Sequence, residues 1–168
     1  MSDIPSRIRV IQAVQIALCL IGIGIAGFLW YAHVANFDVP CTSDGGCAIV
    51  AASAYSRISI GPFHNIYVAI LGVMGYATLF SLGMLKLGIE TKANLKLPVL
   101  GFLLVSLGGT LYSIYLQYVA FVIIGHHCVW CISSACDMTI IFVTSIIESR
   151  ALQKMPVKDE PSDLLGSA

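Results

Sequence analysis

The sequence predicts an all-α membrane protein: a bundle of four transmembrane helices with a short interfacial helix after the first exoplasmic loop. Of its 168 residues, 58% are hydrophobic and only 11% are charged, whereas an ordinary soluble domain carries about 25% charged residues. Long apolar stretches separate the few charged residues. These observations exclude a soluble globular domain. A formal net charge of zero gives no electrostatic basis for binding nucleic acid.

Four apolar stretches are long enough to cross a membrane, which takes roughly 20 residues. Val10 to Phe37 and Ile58 to Leu85 each contain one histidine but no acidic or other basic residue. Leu97 to Cys136 continues for 40 residues, which is too long for a single span. Gly125-His126-His127 divides it into a third span and a fourth span that ends near Glu148.

These spans define three regions of the chain. We predict a cytoplasmic N-terminus at residues 1–9, a four-helix transmembrane domain at residues 10–148 and a cytoplasmic tail at residues 149–168. The apolar run of the first span is about twice as long as that of a cleavable signal peptide, so we interpret it as a retained anchor. The tail is polar and contains Pro156 and Pro161, a composition typical of a disordered end.

The basic residues predict the orientation of the bundle in the lipid bilayer. Eight of the nine Lys and Arg residues fall on one side of the predicted spans: Arg7, Arg9, Lys86, Lys92, Lys96, Arg150, Lys154 and Lys158. Only Arg57 falls on the other side. Because loops rich in Lys and Arg stay in the cytoplasm, both termini are predicted to be cytoplasmic. The opposite loops are then exoplasmic, where disulfides persist.

The first exoplasmic loop contains a spaced pair of cysteines, Cys41 and Cys47. Asp44-Gly45-Gly46 gives a flexible turn that can bring the two sulfurs together. From Ala48 to Ser59 the pattern indicates a short amphipathic segment lying at the membrane interface. Gly61-Pro62 then marks the predicted start of the second span.

A second pair, Cys128 and Cys131, forms a CxxC motif where the fourth span begins. A spacing of three residues places both sulfurs on one face of a helix, and the free N–H groups of a first helical turn lower the pKa of a thiol. Both pairs face the same side of the membrane, which indicates a thiol relay that feeds an acceptor within the membrane. A buried structural pair is the alternative for the CxxC. Cys19 and Cys136 lie in apolar surroundings, and we expect both to be structural.

Taken in order, the motifs resemble the vitamin K epoxide reductase family, most closely its bacterial stand-alone, DsbB-like members. They are Cys41-x5-Cys47, Ser53-Ala54-Tyr55, Gly61-Pro62 and Cys128-Val129-Trp130-Cys131-Ile132-Ser133-Ser134-Ala135. The resemblance extends roughly from Val10 to Glu148. The order also distinguishes the chain from DsbB itself, in which the CxxC pair comes before the spaced pair.

The resemblance implies a quinone-dependent thiol:disulfide oxidoreductase in the bacterial inner membrane. Such an enzyme oxidises a periplasmic, thioredoxin-fold DsbA-like protein and reduces ubiquinone or menaquinone. Cys41 would exchange with the partner, and Cys47 would pass electrons to Cys128. Cys131 would be the thiolate that contacts the quinone.

The resemblance also implies residues that bind the quinone. Ser53 matches a serine that helps to close the quinone pocket, and Asn65 and Tyr115 are candidates for hydrogen bonds to the quinone carbonyls. The animal enzymes carry a tyrosine at the position of Ala135. This difference favours quinone reduction over epoxide reduction.

Asp137 and the two histidines before the CxxC leave two interpretations each. A carboxyl group inside a span costs roughly 2.5 to 3.5 kcal/mol, so Asp137 is either a proton carrier for quinol formation or a hydrogen-bonded packing residue. His126 and His127 are either ligands or polar residues at the membrane interface, and we favour the interface.

Two other functions are compatible with the same residues. A zinc site could use Cys41, Cys47, Cys128 and Cys131 with a neighbouring histidine, although the x5 spacing and an oxidising compartment favour exchange, and we expect no metal. The other possibility is a structural membrane bundle held by two disulfides and without redox turnover.

Overall fold

The computed structural model describes residues 5–35, 46–60, 63–89 and 92–154. Within these residues the α-helices are α1 (Ser6–Val34), α2 (Gly46–Ala52), α3 (Val68–Gly88), α4 (Lys92–Tyr118) and α5 (Val129–Lys154). A 3-10 turn (Ala54–Ser56) and two strands, β1 (Arg57–Ile60) and β2 (Phe63–Tyr67), connect α2 to α3. A π-helical segment (Val119–Ile124) extends α4.

The four long helices are long and apolar enough to cross a membrane: α1, α3, α4 with its π-helical extension, and α5. Large apolar side chains lie exposed along their outer faces; Leu97, for example, is 78% exposed. Such a surface suits contact with lipid and is unfavourable in water. The protein is therefore a multi-pass membrane protein, and the predicted four-helix bundle is confirmed.

The helices pack closely because small residues face large ones. In the core, the ring of Tyr76 on α3 lies directly over Gly22 on α1, where a Cβ atom would overlap Tyr76 Cε1. Similarly, a Cβ at Gly109 on α4 would lie 2.9 Å from Met138 Sδ on α5. Small residues of this kind let membrane helices approach each other. Phe102 of α4 completes the same buried cluster.

The segment between α2 and α3 differs from the prediction. The helix α2 ends at Ala52, and β1 and β2 then form an antiparallel hairpin in which Arg57 pairs with Tyr67 and Ile58 with Ile66. The second span consequently starts at Val68 and not at Gly61-Pro62. The physical reason is that this stretch is rich in isoleucine and aromatic residues, which favour extended backbone.

The division between the third and fourth spans is confirmed. Gly125 ends the π-helical segment in a left-handed conformation with φ of 74°, and its N–H donates to Ala120 O. Glycine adopts this conformation without a steric cost. The turn lets α5 begin at Val129, so that Cys128 lies just before the first residue of the helix.

A buried ion pair lies at the end of the bundle away from the cysteines. Lys86 Nζ lies 2.8 Å from Glu148 Oε2 and also donates to Gln15 Oε1 at 2.6 Å. Gln12 Nε2 donates to Glu148 Oε1, and Lys86 Nζ lies 3.6 Å from the centre of the Phe102 ring. The sequence analysis ended the second apolar stretch at Leu85 and the fourth span near Glu148, whereas the helices α3 and α5 continue to Gly88 and Lys154.

Candidate active site

A cavity of about 150 Å³ lies between the four long helices and the segment from α2 to β2. Most of its walls are apolar. The side chains that give it chemical character come from separate elements and include His33, Cys47, Ser53, Gln117, Cys128, Cys131 and Ser134. The fold therefore brings three of the four predicted redox cysteines to one cavity.

Cys47 lies in the first turn of α2, is 2% exposed and forms a disulfide. Cys41 lies outside the described residues, so the pairing of Cys41 with Cys47 stays a prediction. The preceding residue, Gly46, packs against the backbone of the loop before α5, and a Cβ atom there would overlap His127 O. This close approach places Cys47 beside the loop that carries Cys128.

Cys128 and Cys131 are free thiols in this structure. The backbone N–H of Cys131 donates to Cys128 Sγ at 3.3 Å. The pKa of Cys128 is lowered to about 7, mainly by a hydrogen bond from the Cys131 side chain. The backbone N–H groups of Cys131 and Trp130 lower this pKa further, whereas burial of the thiol raises it. Cys128 is therefore the sulfur of the dithiol that ionises near neutral pH. A thiolate is the form that exchanges with disulfides.

Of the other predicted binding residues Ser53, Asn65 and Tyr115, only Ser53 is found among the described residues that line the cavity. Ser53 lines the cavity, and its hydroxyl donates to Val50 O at 2.7 Å. Asn65 belongs to β2, but its side chain lies outside what the structure describes. Tyr115 is 52% exposed, packs beside the ring of Tyr112 and is not among the residues that line the cavity.

Asp137 is placed deeper in the bundle. Its side chain is only 7% exposed, three residues after Ser134 on α5, and it does not line the cavity. It interacts with the hydroxyl of Tyr76, which itself hydrogen-bonds to Ser134. Asp137 is thus linked to the cavity through two side chains and does not contact it directly.

The sequence analysis missed two polar cavity residues, His33 and Gln117. His33 Nδ1 lies 2.9 Å from Leu29 O and Nε2 lies 3.4 Å from Ala51 O, while its ring packs 5.0 Å from that of Tyr67. His33 therefore joins α1 to α2 and β2. Gln117 Oε1 is buried and has no hydrogen-bond partner among the residues that the structure describes. Both residues interrupt apolar stretches, which is the signal that could have identified them.

The zinc hypothesis receives no support from the part of the chain that is described. Within that part, no group of three or more His, Cys, Asp or Glu side chains is arranged to hold a metal ion. In addition, the sulfur of Cys47 is in a disulfide, and zinc binds the thiolate form of cysteine.

Comparison with known protein families matches residues 13–146 to the vitamin K epoxide reductase family. The matched range covers most of the chain and includes every predicted site residue from Cys41 to Asp137. It confirms the family inferred from the cysteine motifs, whereas the likeness to its bacterial stand-alone members stays a prediction. No curated protein matches the chain.

Proposed function

Because the chain belongs to the vitamin K epoxide reductase family, we propose that it couples the oxidation of a periplasmic DsbA-like protein to the reduction of a quinone. Members of this family are membrane oxidoreductases that act on thiols and disulfides and use quinone-type substrates. The observation that carries the proposal is that Cys47, Cys128 and Cys131 line one mostly apolar cavity.

The proposed cycle begins with the partner protein. A partner thiolate attacks the disulfide between Cys41 and Cys47, and the partner leaves as a disulfide while both cysteines become reduced. Cys47 then attacks the disulfide between Cys128 and Cys131 at Cys128. Attack of Cys41 on Cys47 restores the first disulfide and leaves Cys128 and Cys131 as a dithiol.

In this cycle the exchange ends with Cys47 in a disulfide and the CxxC pair as free thiols. The lowered pKa of Cys128 favours its release from Cys47, because a sulfur with a lower pKa is the better leaving group. In the last step the dithiol loses two electrons and re-forms its disulfide, and the quinone takes up these electrons with two protons to become a quinol.

The cavity supports binding of a quinone ring. Its walls are mostly apolar, and small-molecule sites of this kind combine apolar walls with a few placed polar groups. We propose that Ser53 helps to close the site and that Asn65 reaches a quinone carbonyl. Gln117 Oε1, buried without a partner among the described residues, is an acceptor for a quinol hydroxyl. Tyr115 lies outside the cavity, so the proposed site does not use it.

For the orientation, we propose a bacterial inner-membrane protein with both termini in the cytoplasm. Eight of the nine Lys and Arg residues support this arrangement, since in the sequence they flank the spans on the side opposite to the loops that carry Cys41, Cys47 and Cys128. A reporter that is active only in the periplasm should work when fused at Asp44 and fail at Thr91 or Ala168. Activity at Thr91 would invert the orientation.

The test of the function is quinone-dependent oxidation of a thiol substrate by the purified protein. We expect the wild-type protein to reduce a soluble ubiquinone or menaquinone analogue with dithiothreitol as the electron source. Cys131→Ala should abolish quinol formation, whereas Cys136→Ala should keep the wild-type rate. Before dithiothreitol is added, Cys131→Ala should contain a disulfide between Cys47 and Cys128, formed when the Cys128 thiolate attacks the disulfide between Cys41 and Cys47 and releases Cys41 as a thiol. Absence of quinone reduction by the wild-type protein would refute the proposal and favour a structural bundle.

A second experiment tests the protein partner. Cys47→Ala should block oxidation of a DsbA-like protein, yet leave turnover with a small dithiol that reaches Cys128 directly. The Cys47→Ala variant should also form no mixed disulfide with the reduced partner, because Cys41 is then a thiol and offers no disulfide bond for the partner thiolate to attack. Equal loss of both activities would contradict the assigned order of transfer.

A further inference from the structure

A chain of polar groups leads from the inner side of the cavity into the core of the bundle. Ser134 lines the cavity together with Cys131. The hydroxyl of Tyr76 lies 3.1 Å from Ser134 Oγ and 3.0 Å from Ser134 O. Asp137, which does not line the cavity, interacts with the same hydroxyl. The three side chains therefore connect a buried carboxyl group to the cavity.

The packing of the helices fixes the middle member of this chain. Tyr76 is 1% exposed, and its ring fills space that only a glycine at position 22 leaves open, since a Cβ there would overlap Tyr76 Cε1. Cys19 and Leu79 belong to the same buried cluster. Because the ring is held on several sides, its hydroxyl has a defined position beside Ser134.

Asp137 is not satisfied by its surroundings. Its Oδ2 is buried and has no hydrogen-bond partner among the residues that are described. The titratable groups that interact electrostatically with Asp137 are Tyr76 of α3 and Cys19 of α1. A carboxyl group in this environment is costly, and ionisable residues inside membrane bundles commonly belong to proton pathways.

The proposed reaction needs a proton from such a source. Reduction of a quinone by two electrons consumes two protons. The dithiol brings only one proton when one of its two sulfurs is a thiolate, and the lowered pKa of Cys128 favours this state near neutral pH. A second proton is then needed from another donor. Ser134 lines the cavity together with Cys131 and is placed to deliver it.

We propose that Tyr76 relays a proton from Asp137 to Ser134 and so to the quinone, an inference that rests on the proposed function. As Asp137 gives its proton to the Tyr76 oxygen, the Tyr76 hydrogen turns from Ser134 O to Ser134 Oγ, which is 3.1 Å from the Tyr76 oxygen. The Ser134 proton then passes to a quinone oxygen. The electron pair comes from the Cys128 and Cys131 sulfurs, which form a disulfide. Asp137 remains as a carboxylate and regains its proton from water.

The first test uses Tyr76→Phe, which removes the hydroxyl and keeps the ring that fills the space over Gly22. Single-turnover quinol formation by the full-length protein in detergent should slow by about a hundredfold, the scale of general acid catalysis. The solvent deuterium isotope effect should increase, and exchange between Cys47 and Cys128 should keep its rate. Tyr112→Phe is the matched control, because this tyrosine lies on α4 outside the cavity lining.

A structural role of Tyr76 is separated from the relay by Ser134→Ala. This variant removes the hydroxyl that carries the proton but keeps Ser134 O, to which Tyr76 donates at 3.0 Å. The relay predicts slow quinol formation in Ser134→Ala as well, with an unchanged thermal unfolding midpoint. Wild-type quinol formation in both Tyr76→Phe and Ser134→Ala would overturn the proposal.

An infrared difference spectrum gives a readout that does not depend on turnover. When one equivalent of a soluble quinone oxidises the dithiol, a protonated carboxyl band should disappear, and Asp137→Asn should lack this band. In Tyr76→Phe the band should persist after mixing. If the wild-type protein reduces the quinone without any change in a carboxyl band, the relay is wrong although the proposed function holds. If no quinone is reduced at all, the proposed function itself fails.

Discussion

Lys86 Nζ and Glu148 Oε2 lie 2.8 Å apart, and neither side chain has any exposed surface. The pair joins α3 to α5. Gln12 of α1 donates a hydrogen bond to Glu148, and Gln15 of α1 accepts one from Lys86, so the network also includes α1. Removing charged groups from water costs several kcal/mol, which the attraction between the two ions offsets only with good geometry and further hydrogen bonds. The arrangement at the end of the bundle away from the cysteines meets these conditions.

The first prediction follows from this pair. Lys86→Met should lower the free energy of unfolding by about 3 to 5 kcal/mol, because Glu148 remains as a buried, unpaired charge. The double variant Lys86→Met with Glu148→Leu should recover most of the loss. Denaturant unfolding in detergent measures both, with Lys96→Met at an exposed lysine of α4 as the control. Equal stability of the Lys86→Met and wild-type proteins would contradict the assigned pairing.

A second prediction concerns the ionisation of Cys128. Since its pKa is lowered to about 7 from an ordinary 9.0, the thiolate is populated above pH 7 and lost as the pH falls below it. The rate of alkylation of Cys128 in the reduced protein should therefore rise with a midpoint near pH 7, as followed by mass spectrometry of the labelled peptide. Cys131→Ala removes the main hydrogen bond, so the midpoint should move upwards. An unmoved midpoint would assign the shift to another cause.

The third prediction concerns the contact between α2 and the loop before α5. Gly46→Ala places a Cβ where His127 O lies, so α2 must move away and carry Cys47 from Cys128. Transfer between these two sulfurs should slow at least about tenfold, because a misplacement of about 1 Å can cost a hundredfold in rate. Gly24→Ala is the matched control, since nothing lies within 4 Å of a Cβ there. Rapid-quench trapping of the mixed disulfide measures the rate; a normal rate in Gly46→Ala would contradict the role of this contact.

The sequence predicted the features that depend on local composition. Four apolar stretches and the break at Gly125 are visible without knowledge of the fold, because length, hydropathy and a left-handed glycine are local properties. The hairpin was missed because Ile58 and Ile66 are equally suited to a membrane helix and to a strand. Only the pairing of the two strands distinguishes these possibilities.

The candidate site, like the fold, could be predicted from the sequence only in part. The CxxC motif fixes the spacing of Cys128 and Cys131, so their proximity could be predicted. The link from Asp137 to the cavity depends on Tyr76, which comes from another helix and fits only because Gly22 leaves space for its ring. Contacts of this kind depend on how the helices pack, and a single sequence does not contain that information.

The last prediction concerns Gln117, whose buried Oε1 faces the cavity region without a partner among the described residues. If it accepts a hydrogen bond from the quinol hydroxyl, Gln117→Leu should remove that bond while keeping an apolar side chain of similar size. Loss of one such bond costs about 1 kcal/mol, so affinity for a soluble quinol should fall about fivefold. The rate of exchange between Cys47 and Cys128 should stay at the wild-type value. Equilibrium titration of the quinol provides the measurement, and an affinity equal to that of the wild-type protein would exclude Gln117 from the binding site.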